Sequence, residues 1–349
     1  MSMSKQLRSE IKVVLVGVGA IGCEIGRLIL RRNGIRIVGA VDSDPNKAGK
    51  DLGEILGTKG SLGITIVKNI DDLNVEADVA IHATTSFLHK AYPQITRLIE
   101  RGLSVISTCE ELSYPYIVDK EISRRIDEMA KEHKVTVLGV GVNPGFLMDT
   151  LIIALTTLCQ DIKRIRAERV IDAAKRRLPF QVKIGSGLGP KEFNEKISRG
   201  EITGHVGLRQ SIAMISDALG LNLSKIEDEP VKPVIAKKEV KSEFITVKPG
   251  MVAGLSQKAH GIIGEEKFIT LTFKAYIGAE KEYDSIIIEG TPVIKEKIMP
   301  CVHGDIATAA IIVNMAPKVL SSKPGLKTMK DMQIPSAILG NMTMKWIRE

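Results

Sequence analysis

The 349-residue chain reads as an α/β protein in which a doubly wound parallel sheet is joined to a second α+β domain. Three observations carry that reading. An apolar, β-branched run at 13–16 passes directly into a G-x-G-x-x-G turn, with Gly17, Gly19 and Gly22 in the three glycine places, and then into a segment of helical period. Apolar runs alternate with amphipathic helical stretches as far as residue 145, the pattern of βαβ units. From residue 244 onward, strand-like runs follow one another without helices between them, which marks a separate, more antiparallel sheet.

The glycine turn is the best-defined element. Val13-Val14-Leu15-Val16 predicts a strand buried on both faces. Gly17 permits a tight turn, Gly19 lets the backbone approach a pyrophosphate, and Gly22 allows the helix to pack close to the strand. The helix that starts at Ala20, Ile21 and Gly22 aims its N–H groups and positive dipole end at the phosphates. Ile21, Ile25, Leu28 and Leu30 mark its buried side, and Asn33-Gly34 ends it. A second strand, 36–41, ends in Asp42, the acidic residue expected about 20 residues after the glycines on the ribose 2′-OH. This is the pattern of a Rossmann-type dinucleotide site. Asp42 favours NAD, while Ser43 and Lys47 can accommodate the 2′-phosphate of NADP. A glycine-rich turn without a ligand is the competing reading, and the flanking strand and helix speak against it.

The remaining elements follow in order. A loop at 43–47 feeds a short helix, and 64–68 is a short strand. Strand 77–83 runs into Thr84, Thr85 and Ser86, then a helix over 88–101. Residues just past the carboxyl ends of such strands face the ligand crevice, so these three touch the cofactor, cap the next helix, or both. Strand 102–107 ends in Thr108-Cys109-Glu110-Glu111-Leu112, a helix covers 118–133, and strand 135–140 ends in Gly141-Val142-Asn143-Pro144-Gly145-Phe146. Beyond it come a crossover helix at 147–159, a strand at 165–170 carrying Glu168 and Arg169, and a glycine-rich stretch at 185–190. A polar helix then ends near Gly200, and Thr203-Gly204-His205 precedes an amphipathic helix over 206–219. Strands are expected at 244–247, 268–277 and 285–289, and a last helix at 306–319 returns to the first domain. Residues 1–10 read as a lead-in, and 321–349 carry no assignable pattern. The domains are expected at 1–145 (dinucleotide binding), 146–300 (substrate and oligomer contacts) and 301–349 (returning helix and tail).

Composition narrows the classes. Hydrophobic residues at 44% and charged residues at 26% are ordinary for a globular protein. The net charge of +8 is scattered along the chain and aromatics are only 4%, which argues against a nucleic-acid partner and for a field that favours anionic ligands. Four cysteines lie far apart without a C-x-x-C pair, and six histidines form no ligand spacing. No metal site or disulfide framework is expected, and a reducing cytoplasm is. The longest apolar helix candidate, 146–158, is interrupted by Asp149 and too short for a bilayer, so no membrane association is expected.

Four places can carry chemistry. Glu110 and Glu111 end a central strand, where a carboxylate near the nicotinamide can act as general base; alternatively both acids open the next helix and complement its dipole. Asn143 can donate and accept at once, orienting substrate or nicotinamide, or it is a turn residue before proline. Arg169 is a natural fork for a carboxylate, and His205 precedes a helix; each can equally be an ion pair or a satisfied interior group.

Taken together, the segments Val16-Gly17-Val18-Gly19-Ala20-Ile21-Gly22, Ser107-Thr108-Cys109-Glu110-Glu111-Leu112, Gly141-Val142-Asn143-Pro144-Gly145-Phe146 and Gly304-Asp305-Ile306-Ala307-Thr308-Ala309 have a familiar look. The chain resembles the 2,4-diaminopentanoate dehydrogenases and related native amine dehydrogenases, which are built like dihydrodipicolinate reductase. The resemblance implies Glu110 as the catalytic base, with Glu111 as second choice, and a substrate pocket using Arg169, His205 and Asn143. It departs from dihydrodipicolinate reductases, whose paired basic His-His…Lys pattern has no counterpart. It departs also from sugar-type oxidoreductases, which place a lysine where this chain has Glu111. The implied reaction is reversible NAD(P)-dependent oxidative deamination of a small-molecule amine to ketone and ammonia, with 2,4-diaminopentanoate as the first candidate. A reductase of a cyclic imine or aldehyde on the same fold and a non-enzymatic dinucleotide sensor are the alternatives. The long strands of the second domain are expected to form a homodimer face.

Overall fold

The computed structural model describes residues 10–342. The expected lead-in before Glu10 and the tail beyond Met342 lie outside the described residues. The chain divides into two compact units, one made of residues up to Phe146 together with those from Gly304 on, the other of Leu147–His303.

The first unit begins β1 (Ile11–Val16), α1 (Ala20–Ile29), β2 (Ile35–Val41), α2 (Leu52–Leu56), β3 (Ile66–Val67), β4 (Val79–His82), α3 (Leu88–Glu100), β5 (Ser104–Ser107), α4 (Lys120–Glu132) and β6 (Thr136–Gly139). The second unit holds α5 (Thr150–Thr156), β7 (Asp161–Asp172), α6 (Leu178–Lys183), α7 (Pro190–Ser198), α8 (Leu208–Ala218), β8 (Lys225–Asp228), β9 (Lys232–Ile235), β10 (Val240–Lys241), β11 (Thr246–Val247), β12 (Val252–Ile263), β13 (Glu266–Tyr276), β14 (Tyr283–Thr291) and β15 (Ile294–Ile298). The chain then returns to the first unit with α9 (Gly304–Ser321) and β16 (Gly325–Lys327).

The first sheet runs β16-β6-β5-β4-β1-β2-β3, with every pair parallel. Strand order reverses direction between β1 and β4, and that switch point places a crevice at their carboxyl ends. The core forms because β1, β4 and β5 present apolar residues to helices on the sheet faces. Val14, Ala80 and Val105 pack with Ile95, Leu98 and Ile99 of α3 and Ile126 of α4. Each such large side chain contributes about 1.5–3 kcal/mol on burial. α9 packs against α1 and reaches β4, β5 and β6. β16 adds a seventh strand beside β6 within the segment that carries no sequence pattern, because three residues are too few to show a period.

The second sheet runs β15-β14-β7-β13-β12-β8, with β9 also paired to β12. It is mixed: β7 and β13 are parallel and the other pairs antiparallel. Its strands are longer than the expected 165–170, 268–277 and 285–289, while 244–247 shortens to Thr246–Val247. The crossover helix expected at 147–159 forms only over Thr150–Thr156. β12, a 12-residue strand, has no sequence signature, because Gly254, Ser256, Gln257, Lys258, His260 and Gly261 interrupt its apolar run. Both glycines mark close approach. A Cβ on Gly254 would sit 2.0 Å from the Ala275 carbonyl oxygen, and one on Gly261 would sit 2.8 Å from Ile212 of α8. Gly254→Ala is therefore expected to lower stability by about 2 kcal/mol or more, because backbone must shift to make room. Urea unfolding measures this, and a change under about 0.5 kcal/mol would contradict the packing described.

Candidate active site

The crevice at the β1–β4 switch point is built by three loops. In the first, the Gly17 N–H donates to the Val41 carbonyl at 2.8 Å, and Gly17 has φ +91°, a conformation that favours glycine. A Cβ on Gly22 would lie 2.0 Å from the Gly17 oxygen, so helix and turn pack too closely for a side chain. Gly19 is the opposite case: the space where its Cβ would stand is open to 4 Å. Gly19 caps α1 without a side-chain hydrogen bond, and no acid lies in the first turn, so the N–H groups of Ala20, Ile21 and Gly22 keep the positive end of the helix available to an anion. A cavity of about 660 Å³ lies beside this turn, walled by Gly17, Gly19, Asp42, Ser43, Thr84 and Thr85. These features fit a dinucleotide. Asp42 is partly engaged: Oδ2 accepts from Val18 N–H (2.8 Å) and Lys47 Nζ (3.0 Å), and Oδ1 from Asp44 N–H (2.9 Å). Lys68, Lys90 and Arg97 add positive charge to the cavity wall, which sequence periodicity had not marked.

The second loop follows β4. Thr85 Oγ1 accepts from the Phe87 N–H, as an ST turn does, and the Ser86 carbonyl accepts the Glu111 N–H at 3.2 Å. Ser86 is not part of the cavity wall. The third loop follows β5, where Glu110–Ser113 form a single 3-10 turn. That turn lies flat on the end of β6 because Gly139 has no side chain; a Cβ there would be 2.3 Å from the Leu112 carbonyl carbon. Glu111 is committed to structure. Its Oε2 accepts the Leu88 N–H at 2.6 Å and so caps α3 across 23 residues of chain. Glu110, half-buried, opens the same turn, and its backbone carbonyl accepts from Ser113 Oγ at 2.7 Å. The Cys109 thiol beside it is buried, which pushes its pKa up to about 12.

His82, at the end of β4, links these loops and was missed in the sequence, where a lone histidine closing an apolar strand is the only signal. It is fully buried. Its Nε2 lies 2.9 Å from both Gln94 Oε1 and Thr84 Oγ1, and its Nδ1 2.8 Å from Ser107 Oγ. Thr84 donates to Gln94 Oε1 at 2.8 Å, and Ser107 Oγ accepts from the Cys109 N–H at 3.1 Å. With the Gln94 oxygen facing inward, Nε2 carries the proton and Nδ1 accepts from Ser107. The directions then agree along the chain, from the Glu110 turn to the cavity wall. Burial lowers the His82 pKa from 6.5 to about 4, so the ring stays neutral.

Asn143 sits between β6 and α9, before a cis bond to Pro144. Its neighbour Val142 donates its N–H to Thr308 Oγ1 of α9 at 3.2 Å. Both polar atoms of the Asn143 side chain are buried without a hydrogen-bond partner. A buried amide left in that state is costly unless a ligand completes it.

In the second unit, Arg169 is 2% exposed. Its register row places it between Phe273 and Asp284. Nη1 donates to Asp284 Oδ1 at 2.5 Å and Nη2 donates to the Val302 carbonyl, so the fork expected to face a ligand is turned inward. His205 stacks on Phe273, with ring centroids 4.5 Å apart at 16°. Its backbone N–H donates to Gln257 Oε1 at 2.8 Å, and its buried ring Nε2 has no partner. Burial first, then the charges of Lys183 and Arg169, lower its pKa to about 3.

Among the described residues, no group of three or more His, Cys, Asp or Glu can hold a metal ion, and no helix is long and apolar enough to cross a membrane. Residues 11–138 match the family of dihydrodipicolinate reductase N-terminal domains. Residues 146–348 match the family of 2,4-diaminopentanoate dehydrogenase C-terminal domains. Over 338 residues the chain is 35% identical to the 2,4-diaminopentanoate dehydrogenase of Acetoanaerobium sticklandii, covering 95% of this chain and 96% of that one. The chain belongs to the 2,4-diaminopentanoate dehydrogenase family. An amine dehydrogenase of Streptomyces virginiae is 24% identical over 223 residues, 62% of each chain. The structure of an amine dehydrogenase from Mycobacterium smegmatis superposes with a TM-score of 0.81 at 24% identity, covering 95% of this chain and 98% of that one. This member of the family is an NAD(P)-dependent oxidoreductase acting on small-molecule amines.

Two outcomes are expected of this dehydrogenase. Because the His82 pKa in the folded chain is below the unfolded value, the unfolded state binds the extra proton between pH 6.5 and about 4. The neutral ring's contribution is complete above pH 6.5 and is lost as pH falls towards 4, a change of about 3 kcal/mol. Denaturant unfolding across that range should show a slope that flattens by about one proton in His82→Asn; an unchanged slope would contradict the buried, neutral assignment. Lys47→Met should raise KM for NADP about tenfold or more while moving KM for NAD about twofold, because it leaves the Asp42 charge facing a 2′-phosphate. Equal changes for the two cofactors would contradict the role of Lys47.

Proposed function

We propose that the chain oxidises 2,4-diaminopentanoate, or a close 4-amino carboxylate, at C4 to the 4-oxo acid and ammonia, reversibly, with Glu110 as the base. The observation that supports this most is the division of labour at the end of β5. Glu111 caps α3, and Glu110 is held beside it by a turn seated on Gly139. The relative from Acetoanaerobium sticklandii supplies the substrate by name.

Bound NAD(P) supplies the hydride acceptor. Glu110 takes a proton from the substrate ammonium, and the freed nitrogen lone pair drives hydride from C4. The C–H bond breaks as C=N forms. Glu110 passes the ammonium proton to bulk water, then takes one from the water that adds to the iminium and returns it to the nitrogen of the carbinolamine; the C–N bond breaks with release of ammonia as the hydroxyl proton goes to Glu110 and the C=O bond forms. Asn143, with its buried amide unpartnered, orients the reacting carbon or the carboxamide of the nicotinamide. Arg169 supplies positive charge that favours a carboxylate, and the neutral His205 ring offers its unpartnered Nε2 as a hydrogen-bonding group. Gly17, Gly19, Asp42, Thr84 and Thr85 hold the dinucleotide, with the N–H groups of Ala20, Ile21 and Gly22 on its phosphates. Ser86 contributes through its backbone.

The second sheet offers the homodimer face. Along β14, Asp284, Ile286 and Ile288 are buried while Tyr283, Ser285 and Ile287 are half-exposed, so one face is left to a partner. The four cysteines are unpaired, the state that a reducing cytoplasm maintains.

Glu110→Gln should lower kcat by about 10²–10⁴-fold with cofactor affinity retained. Glu111→Gln should stay within a few-fold in kcat and lose about 1 kcal/mol of stability through the weakened cap. Steady-state rates on 2,4-diaminopentanoate with both cofactors measure this, and the reverse pattern would assign the base to Glu111.

A further inference from the structure

One wall of the dinucleotide cavity takes its hydrogen-bonding sense from the interior behind it. The chain of contacts starts at a backbone group that can only donate, the Cys109 N–H, which gives to Ser107 Oγ at 3.1 Å. Ser107 is buried, and the acceptor its hydroxyl finds among the described residues is His82 Nδ1 at 2.8 Å. A buried hydroxyl proton left without an acceptor is costly, so Ser107 gives its proton to Nδ1. Burial keeps the ring neutral, and its one proton then sits on Nε2, 2.9 Å from Gln94 Oε1. Thr84 Oγ1 donates to the same oxygen at 2.8 Å. The reverse placement of the Gln94 amide would turn its N–H groups against the Nε2 proton.

Gln94, half-buried on α3, lines the cavity, and with its oxygen turned inward its –NH2 is the end left to the cavity. That nitrogen donates to no group among the described residues. The neighbouring polar groups are committed. Both oxygens of Asp42 are engaged, and Asn69 is turned to Asp72 at 2.9 Å. Arg97 and Lys90 are donors themselves; Arg97 pairs with Asp71 at 2.9 Å, and Lys90 lies over the Phe87 ring. The acceptor must come from the ligand. The glycine turn after β1 faces the phosphates and Asp42 after β2 the ribose, and the cavity runs on to Lys68, Asn69 and Ile70 after β3. α3 reaches that same end, because Arg97, about one turn beyond Gln94, holds Asp71.

We propose that Gln94 binds the adenosine half of the dinucleotide, its amide donating to a ring nitrogen of the purine or an oxygen of its ribose, and that His82 is the positioning residue that keeps this donor facing outward. The group it meets is common to NAD and NADP, so Gln94 supports both alike, in contrast to Lys47.

Calorimetric binding of NADH, NADPH and ADP to the full chain, without substrate, tests this. Gln94→Met should weaken all three about three- to tenfold, the worth of one hydrogen bond. His82→Leu should weaken NADH about threefold in the unaltered chain but by less than about 1.5-fold when added to Gln94→Met, since the two act as one unit. Nitrogen NMR of the imidazoles, with the His82 signal identified by its loss in His82→Asn, should show the Nε2–H tautomer. Unchanged affinity for all three ligands in Gln94→Met overturns the proposal, and so does weakened NADH with ADP untouched, which would put the acceptor outside the adenosine half. An Nδ1–H tautomer, or equal losses from His82→Leu in both backgrounds, would show that His82 does not aim the amide. Should His82→Leu unfold, the tautomer decides the role of His82 and Gln94→Met decides the rest.

Discussion

The hydrogen bond from the Leu88 N–H to the Glu111 carboxylate ties together two loops at the ligand end of the first sheet. It joins the loop after β4 to the turn after β5, at the strand ends where a doubly wound sheet presents its ligand crevice. With the Glu111 carboxylate held there and the Glu111 N–H bonded to the Ser86 carbonyl, the turn is tied to the loop after β4 at two points. A helix N-terminus normally takes its partner from its own flanking residues. Phe87, which stands at that place, has no side-chain acceptor, so the acid arrives from the next strand. The same bond thus stabilises α3 and commits the Glu111 carboxylate to structure.

Behind that surface the interior is kept neutral. His82 is buried and its pKa is lowered to about 4, so its ring can accept from Ser107 and donate towards Gln94 without carrying charge. The network runs from the Cys109 N–H to Thr84 on the cavity wall. Positive charge is concentrated instead in two places. The start of α1 and the lysines around Asp42 face the dinucleotide cavity, and the arginines around Asp284 gather in the second unit.

How much of this was legible in the sequence depended on how far apart the partners lie. The glycine turn was legible because Gly17, Gly19 and Gly22 act on their own backbone, within a few residues of one another. That the first sheet is parallel followed from the alternation of strands and helices, though its seventh strand, β16, did not. The capping of α3 by Glu111 was not legible, since its partner, Leu88, is 23 residues earlier. Neither was the inward turn of Arg169, whose acid lies 115 residues later. His82 works through Ser107 and Gln94, at separations of 25 and 12 residues. β12 was hidden by the glycines that let it pack against its neighbours, where a strand pattern looks for β-branched side chains.

The central claim is that Glu110 moves the proton that releases the hydride. Single-turnover reduction of the bound cofactor, followed against pH with substrate in excess, tests it most directly. The unaltered chain is expected to show a rate that rises with pH through one ionisation and then levels, while Glu110→Gln shows a slow rate without that ionisation. The same pH dependence in both proteins would contradict the account.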